Sequence, residues 1–395
     1  MPLPLYLLAL AVFAMGASEF MLAGLLPDLA AGLGVTVGTA GALTSAFAIG
    51  MAVGAPLTAA SARRRPGRST LLGFLLVFAV AHAVGAVSAS FPLLLATRVV
   101  AALANAGFLA VALTMAAALV PADRMGRALA VLLSGTTAAT VAGVPGGSVL
   151  GALFGWRAAF WAVAALCLAA AVGLARGLAA APAGPAAPTA SGQAADEPRG
   201  PDLRAELRQL RRPSLLRVVL LAALVNAATF GGFTFLAPVV TGTAGLGALW
   251  VPVVLVLFGA GSFAGVTAAG RLADRRPGVV LAVGGPLLAA GWPVLAVLAG
   301  EPGALLPLVF LLGALSFAVG STLITRVLHE AAGAPTMAGA YATTALNLGA
   351  AAGPLFAAAT LGTAAGSLGP FHASGLLVAL ALPIAATRHR NRPAN

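Results

Sequence analysis

The chain has 395 residues, of which 60% are hydrophobic and 8% are charged, and its formal net charge is +12. Soluble domains carry about 25% charged residues, so this composition excludes an ordinary soluble protein and indicates an integral membrane protein. The sequence contains no lysine, which excludes a P-loop ATPase and Schiff-base chemistry. Cys167 is the only cysteine, which excludes an intramolecular disulfide and a cysteine-cluster metal site.

Twelve apolar runs follow in chain order, and each is close to the roughly 20 residues that a membrane-crossing helix needs. The first run lacks a basic leading segment and is too long for a signal peptide, so we assign it as the first span. The predicted fold class is an all-α membrane protein with twelve transmembrane helices. The predicted spans are residues 4–26, 39–61, 70–89, 93–120, 128–152, 157–179, 215–241, 248–272, 279–299, 304–329, 337–362 and 371–387.

The distribution of arginine predicts how these spans are oriented. If both termini face the cytoplasm, the cytoplasmic segments contain nearly all of the arginines, and only Arg98 and Arg157 fall elsewhere. This asymmetry follows the positive-inside rule. We therefore expect a multi-pass protein of the cell membrane with both termini cytoplasmic, in which the positive charge serves topology rather than nucleic-acid binding.

A segment rich in proline, glycine and alanine at 180–214 predicts a cytoplasmic linker. It separates an N-terminal six-helix bundle at 1–179 from a C-terminal six-helix bundle with a short basic tail at 215–395. The end of the linker, PDLRAELRQLRR, favours a short surface helix in which Glu206 meets neighbouring arginines.

The two predicted bundles are related by an internal repeat. The segment ARRRPG at 62–67 returns as ADRRPG at 273–278, an offset of 211 residues, and the same offset carries Pro27 onto Pro238. A looser match relates GVPGG in span five to the Gly-Pro pair at 353–354 in span eleven. A parallel repeat of two such bundles is typical of alternating-access transporters, whose substrate site lies between the halves at the bilayer midplane.

Four stretches carry a resemblance to a known family. They are GASEFMLAGLLPDLA at 16–30, RVVAALANAGFLAVALT at 98–114, ALVPADRMGRALAVLLSGTTAATVAGVPGGSVLGALFGWRAAFW at 118–161 and GAGSFAGVTAAGRLADRRPG at 259–278. In these stretches the chain resembles the major facilitator superfamily, and within it the twelve-span drug:proton antiporters. Over nearly its whole length it looks like the chloramphenicol resistance exporters of actinomycetes.

The loop motif GRLADRRPG at 270–278 matches that family's cytoplasmic loop motif, and the match implies a gating role for Gly270, Asp274, Arg275 and Arg276. An aspartate beside two arginines at a helix C-terminus can pair with arginines and helix ends in one state and release them in the other. The alternative is a loop that serves topology alone. The first-half copy has Arg63 where the family has an aspartate, so the role of that loop stays open.

Span five combines Gly143, Pro145 and Gly147. A proline in mid-helix removes a backbone hydrogen bond and kinks the helix, and glycines permit close contact between helices. The pattern resembles the family's antiporter motif and implies a gating role, although packing alone would also require the glycines.

Three ionisable residues fall inside predicted spans of the first half: Glu19, His82 and Arg98. At a rise of 1.5 Å per residue they lie roughly 12, 10 and 9 Å from the outer ends of their spans, which is one layer. Charges in a span cost about 2.5–3.5 kcal/mol and are usually functional. Burial favours a neutral carboxyl group and a nearby guanidinium favours a carboxylate, so this layer predicts a proton-coupling site.

The family resemblance agrees with this interpretation, since relatives carry an acid in span one and an arginine in span four. The alternatives are a structural ion pair for Glu19 and Arg98 and a hydrogen-bonded packing role for His82. Asp28 is interpreted as a residue at the end of span one.

At the offset of 211 residues, the second half has Phe230 at the position equivalent to Glu19. The proton machinery is therefore predicted in the first bundle, and an apolar, aromatic lining is predicted in the second. Such a site suits a small amphipathic molecule. The candidate substrate-binding residues are Asn105, Asn226, Phe230, Phe233, Tyr341 and Asn347. The alternative role for the three asparagines is hydrogen bonding between helices.

These features predict a proton-coupled antiporter that exports a small amphipathic antibiotic, chloramphenicol above others, by alternating access. The expected partners are the drug, protons and membrane lipid, the expected state is a monomer, and no cofactor is expected besides the proton gradient. The first alternative is a transporter of a sugar or another metabolite, which would need many converging polar side chains. A non-transporting receptor or scaffold is a second alternative, and no pattern of catalytic residues favours an enzyme.

Overall fold

The computed structural model describes residues 1–61, 67–121, 124–177, 206, 208–273, 277–334 and 337–386. All regular structure in these ranges is helical, which confirms the predicted fold class. Eleven stretches are long and apolar enough to cross a membrane. The helix Ala338–Thr360 is a further long helix, and it occupies the place of the predicted eleventh span.

We number the spans in chain order. Spans 2, 3, 4 and 6 are Val37–Ser61, Arg68–Val87, Phe91–Ala118 and Trp156–Gly177. Spans 8, 9, 10, 11 and 12 are Trp250–Ala273, Pro277–Leu298, Pro302–Glu330, Ala338–Thr360 and Gly369–Ala386. The other three spans are interrupted. Span 1 comprises the helices Leu3–Phe20 and Leu22–Leu33. Span 5 comprises Met125–Ala138, a π-helical turn Ala139–Gly143 and Val144–Phe154. Span 7 comprises Pro213–Thr234, Leu236–Pro238 and a π-helical turn Val239–Thr243.

The interruptions in spans 1 and 7 occur at equivalent positions of the repeat. The Gly24 N–H donates to the Met21 carbonyl at 3.1 Å, and the Phe235 N–H donates to the Gly232 carbonyl at 3.2 Å. Both are i+3 bonds, which tighten a helix locally. Since 21 + 211 = 232 and 24 + 211 = 235, the offset read from the sequence also relates the two backbones.

Span 1 extends further than the sequence predicts. Its second helix continues past Asp28 to Leu33, and Gly34 ends it with a φ of 65°, a left-handed conformation that favours glycine. Asp28 is therefore an exposed residue within the helix and not its last residue.

Glycines set the packing of equivalent helix pairs in the two halves. A Cβ at Gly54 of span 2 would meet the Ala106 Cβ of span 4 at 2.8 Å, and a Cβ at Gly265 of span 8 would collide with the Ala314 backbone of span 10. The two glycines are 211 residues apart. Close approach through small residues is the usual packing of membrane helices, and here it repeats between the halves.

Two large apolar cores lie side by side. The first is built only from residues before 178, and the second is built from residues 215–381 together with Ala23 and Val144. The boundaries of the predicted linker fall largely outside the described residues, so the division at 180–214 stays a prediction.

The two halves meet along spans 2 and 11 and at the end of the bundle opposite residue 1, which we call the far end. There Leu22–Leu33 packs on Leu236–Pro238, and Val144–Phe154 packs on span 8. A Cβ at Gly41 would meet the Phe235 ring at 2.9 Å. The halves are therefore closed against each other at the far end.

Glu206 differs from its predicted position among surface arginines. It is only 2% exposed, its Oε2 accepts the Met337 N–H at 2.9 Å, and its carbonyl accepts the Tyr341 hydroxyl at 2.7 Å. Met337 is the residue that precedes span 11, where the unpaired N–H groups and the helix dipole favour an acid. Glu206 thus caps span 11, and among the described residues no ion pair joins it to an arginine.

Candidate functional site

A buried arginine is bound by a single serine in the first half. Arg98 of span 4 is 1% exposed, and its Nη1 and Nη2 donate to the Ser18 hydroxyl at 2.8 Å and the Ser18 carbonyl at 3.0 Å. Its guanidinium lies 4.4 Å from the centre of the Phe47 ring in span 2. Hydrogen bonds and a cation–π contact are how a buried cation is stabilised without water, so spans 1, 2 and 4 are joined at this charge.

The hydrogen bonds of His82 define its tautomer. Its Nδ1 is 2.8 Å from the Phe78 carbonyl, which can only accept, so Nδ1 carries the hydrogen. In the neutral ring Nε2 then accepts, and the Ser18 hydroxyl lies 2.6 Å from it. Ser18 therefore donates to His82 while it accepts from Arg98. The ring of His82 is also stacked on Phe78 at 4.3 Å, which favours the hydrogen-bonded packing role that the sequence left open.

Glu19 follows Ser18 but points elsewhere. Among the described residues no hydrogen bond joins it to Arg98 or His82, although it lies within electrostatic range of Arg98. It lines a cleft of about 160 Å³, which we call the acid cleft. Its other lining residues are Phe20, Ala23, Thr44, Phe230, Phe233 and Thr234.

A larger cavity of about 370 Å³, which we call the aromatic cavity, adjoins the acid cleft and shares Phe20, Phe230 and Phe233 with it. Successive ring centres are 5.8, 6.4, 4.9 and 6.3 Å apart along the series Phe20, Phe230, Phe233, Phe258 and Phe317. These spacings are those of attractive aromatic pairs. The cavity is completed by Thr140, Val144, Thr229, Leu255, Gly259 and Ser262.

Two of the hydroxyls in the aromatic cavity are already bound to their own helices. Thr229 donates to the Val225 carbonyl at 2.9 Å, and Ser262 donates to the Phe258 carbonyl at 2.8 Å. Such hydroxyls offer lone pairs and no free hydrogen. The cavity is therefore mainly apolar and aromatic, with few groups for hydrogen bonding.

The structure brings together some of the predicted residues. Glu19, His82 and Arg98 lie in one region, and Ser18 is the residue that joins the last two. Phe230 and Phe233 line both cavities. Their predicted functional roles stay predictions, but the depth estimate for Glu19, His82 and Arg98 is consistent with this placement.

The other predicted substrate-binding residues lie outside the lining of these two cavities. Asn226 donates from span 7 to the Leu346 carbonyl of span 11 at 2.6 Å, and Asn347 donates to the Thr343 carbonyl at 2.9 Å. Tyr341 binds Glu206, and Asn105 is buried in span 4. The bond of Asn226 is the interhelical alternative named above.

The predicted gating residues are divided between the described residues and the rest. Asp274, Arg275 and Arg276 lie outside the described residues. In the part of the chain that the structure describes, a Cβ at Gly270 would meet no atom within 4 Å, so this glycine makes no close approach there.

In span 5, the glycines face span 1. A Cβ at Gly143 would collide with Ala17, and one at Gly147 would lie 2.9 Å from the Met21 Cβ. Pro145 follows the π-helical turn Ala139–Gly143, a local widening that commonly marks functional sites. Span 5 therefore packs on span 1 beside Ser18 and Glu19.

The sequence did not identify Ser18, Phe20, Phe258 or Phe317 as site residues. A serine or phenylalanine in a membrane helix is common, and its direction depends on how the helix is rotated. The repeat contained a usable signal, because Phe258 lies 211 residues after Phe47 and Thr229 lies 211 residues after Ser18.

Comparison with known proteins gives consistent matches. The family description "Major Facilitator Superfamily" matches residues 8–354. A Streptomyces lividans protein named "Chloramphenicol resistance protein" is 73% identical over 385 residues, covering 98% of this chain and 96% of the relative. The "Inner membrane transport protein YdhP" of Escherichia coli K12 is 33% identical over 89% of this chain and 86% of its own length.

A crystal structure of a bacterial homologue of the human lysosomal transporter Spinster matches with a TM-score of 0.75, covering 99% of this chain and 98% of that one. Sequence identity is 18%, so this match concerns the fold alone.

Proposed function

Because the chain belongs to the major facilitator superfamily and is a multi-pass membrane transporter rather than an enzyme, we propose that it is a proton-coupled antiporter that exports chloramphenicol by alternating access. The observation that carries the proposal is the junction of an acid cleft and an aromatic cavity that share three phenylalanines. The name of the Streptomyces lividans relative supports the choice of drug.

The aromatic cavity supports a substrate with an apolar ring and a few polar groups. A sugar would require many converging donors and acceptors, whereas the hydroxyls of Thr229 and Ser262 are occupied by their own helices. This favours the drug over the sugar or metabolite alternative.

Glu19 is the proposed proton carrier, and Arg98 supplies the nearby positive charge. The carboxyl group binds a proton when the far end opens and releases it when the opposite end opens. One charge that moves through 100 mV supplies about 2.3 kcal/mol, which biases the exchange by more than tenfold. In this proposal His82 does not carry the proton, because both of its ring nitrogens are occupied by hydrogen bonds.

We propose the cell membrane as the location and a cytoplasmic position for both termini, as the arginine distribution predicts. With this orientation the far end, where the two halves are closed against each other, is extracellular. The transporter works as a monomer in membrane lipid, and its only partners in the exchange are protons and the drug, without a cofactor.

The test is chloramphenicol accumulation in cells that lack other exporters and express wild type, Glu19→Gln or Asp28→Asn, with and without a protonophore. We expect wild type and Asp28→Asn to lower accumulation in a protonophore-sensitive way, because Asp28 is exposed outside both cavities. Glu19→Gln should lose this effect. Unchanged accumulation with wild type would refute chloramphenicol export, and normal active export by Glu19→Gln would refute the assignment of the proton to Glu19.

A further inference from the structure

Two hydroxyl groups in the acid cleft are buried without a partner. The Oγ1 atoms of Thr44 and Thr234 are inaccessible to solvent, and neither has a hydrogen-bond partner among the described residues. Thr44 is 7% exposed and Thr234 is 1% exposed. An unpaired buried hydroxyl is costly, and both of these line the cleft that contains Glu19.

Other hydroxyls in these helices show what a threonine or serine ordinarily does. Thr229, Ser262 and Thr322 each donate to the carbonyl four residues earlier, at 2.9, 2.8 and 2.8 Å. This local bond is the default for a hydroxyl on a membrane helix. Thr44 and Thr234 do not make it, which leaves their hydroxyls available to the carboxyl group in the cleft.

The two threonines come from opposite halves of the protein. Thr44 belongs to span 2, and Thr234 is the last residue of the first helix of span 7, directly before the tightened turn at Phe235. Glu19 lies in the last turn of the first helix of span 1. The acid is therefore enclosed by one hydroxyl of its own half and one hydroxyl of the other half.

We infer that Thr44 and Thr234 are positioning residues that bind the Glu19 carboxyl group, so that the proton site is shared between the two halves. A hydroxyl can serve either protonation state, because it accepts from a carboxylic acid and donates to a carboxylate. While Glu19 is protonated, its single O–H donates to one of the two hydroxyls and its carbonyl oxygen accepts from the other. When Glu19 releases that proton to water, both hydroxyls donate to the carboxylate, and each threonine keeps its own hydrogen. The inference rests on the proposed function and adds these two residues to it.

The shared site links protonation to the movement of the halves. Thr234 can reach Glu19 only while span 7 is close to span 1 at this level, as it is in the conformation closed at the far end. When the far end opens, Thr234 leaves with the second half, and water replaces it at the carboxyl group. The proton then exchanges with the far side only in the open state.

The experiment uses purified full-length protein in liposomes, with two measurements on each variant. The first is chloramphenicol transport driven by a pH gradient, and the second is exchange of labelled for unlabelled chloramphenicol without a gradient. Wild type is compared with Thr234→Val, Thr234→Ser and Thr44→Val. Ser45→Ala removes a buried, unpaired hydroxyl outside the cleft, and Thr322→Val removes a hydroxyl bound to its own helix. Both serve as matched controls.

Loss of one hydrogen bond to a charged group changes an equilibrium by about tenfold or more. We therefore expect Thr234→Val to lower gradient-driven transport by about tenfold, with drug exchange within about twofold of wild type. Thr234→Ser should restore gradient-driven transport. Thr44→Val should, like Thr234→Val, lose gradient-driven transport and keep drug exchange. Both controls should behave as wild type in both measurements.

The outcomes separate this inference from the proposed function. If wild type exchanges chloramphenicol but a pH gradient does not drive its transport, the proposed function fails. If the pH gradient drives transport by wild type and Thr234→Val transports as fast as Thr322→Val, the inference of a shared site is wrong. A defect in Thr234→Ser equal to that of Thr234→Val would also overturn it, because it would indicate packing rather than a hydroxyl. If Thr234→Val yields no folded protein, Thr44→Val decides by the same comparison with Ser45→Ala.

Discussion

The two halves of this transporter share a backbone and differ in the side chains at one level. Both first spans tighten at equivalent residues, and both second spans pack through equivalent glycines. Yet the side chains at the level of this turn form a polar network in the first half and an aromatic wall in the second half. The pairs related by 211 residues are Ser18 and Thr229, Glu19 and Phe230, Phe47 and Phe258, His82 and Pro293, and Arg98 and Val309.

A repeated fold can therefore separate two tasks between its halves. In the first half the Arg98 charge is tolerated because Ser18, Phe47 and His82 are arranged around it. In the second half Thr229 is bound to its own helix, and Phe258 joins a series of rings instead of covering a cation. The Arg98 charge and its partners therefore form one structural unit.

The largest effect is expected when a charge is placed in the half that lacks this unit. Val309→Arg introduces a guanidinium at a residue that is 1% exposed, where Pro293 replaces the histidine and Thr229 has no free hydrogen bond. A charge in a span costs about 2.5–3.5 kcal/mol on insertion scales. We expect almost no folded protein, measured as monodisperse yield in detergent, whereas Val309→Leu should give a normal yield. A well-folded Val309→Arg would show that the second half tolerates a charge by itself.

A smaller effect is expected when the central serine is removed. Ser18→Ala leaves one Arg98 nitrogen and the His82 Nε2 buried without their partner, at about 1–3 kcal/mol each. Thr229→Val removes a hydroxyl that, among the described residues, bonds to its own helix, so its cost should stay below about 1 kcal/mol. The free energy of unfolding in mixed micelles measures both. Equal losses in the two variants would contradict the role of Ser18 as the joining residue.

The glycine pair tests how far the equivalence of the halves extends. A Cβ at Gly265 meets backbone atoms of Ala314, while a Cβ at Gly54 meets the Ala106 Cβ at 2.8 Å. Overpacking costs about 1–3 kcal/mol, and we expect Gly265→Ala to lower the midpoint of thermal unfolding more than Gly54→Ala. Gly73→Ala, which adds a methyl group to open space, should leave the midpoint unchanged. The reverse order would mean that span 8 can move away from span 10 more easily than span 2 can from span 4.

The sequence was sufficient for the features that depend on composition and period. Apolar runs predicted the helices, the offset of 211 residues predicted the equivalence of the halves, and the rise per residue placed Glu19, His82 and Arg98 in one layer. The sequence could not predict side-chain direction, because that direction depends on the rotation of each helix against its neighbours. For this reason Tyr341 and Asn226 were predicted near the substrate, while the structure places their hydrogen bonds at Glu206 and Leu346. Ser18 was missed because a serine in a membrane helix is unremarkable until its partners are known.

The smallest effects are expected from one substitution made at equivalent positions of spans 2 and 8. Phe47→Leu removes the ring under Arg98, a contact of about 0.5–2 kcal/mol, and leaves the walls of the aromatic cavity unchanged. Phe258→Leu removes two ring contacts from those walls, worth about 0.5–1.5 kcal/mol each beyond burial. We expect Phe47→Leu to lower the free energy of unfolding without changing the KM for chloramphenicol. Phe258→Leu should raise that KM by several-fold. If both variants change KM equally, the polar network and the aromatic cavity form one binding site, and the separation of tasks between the halves is wrong.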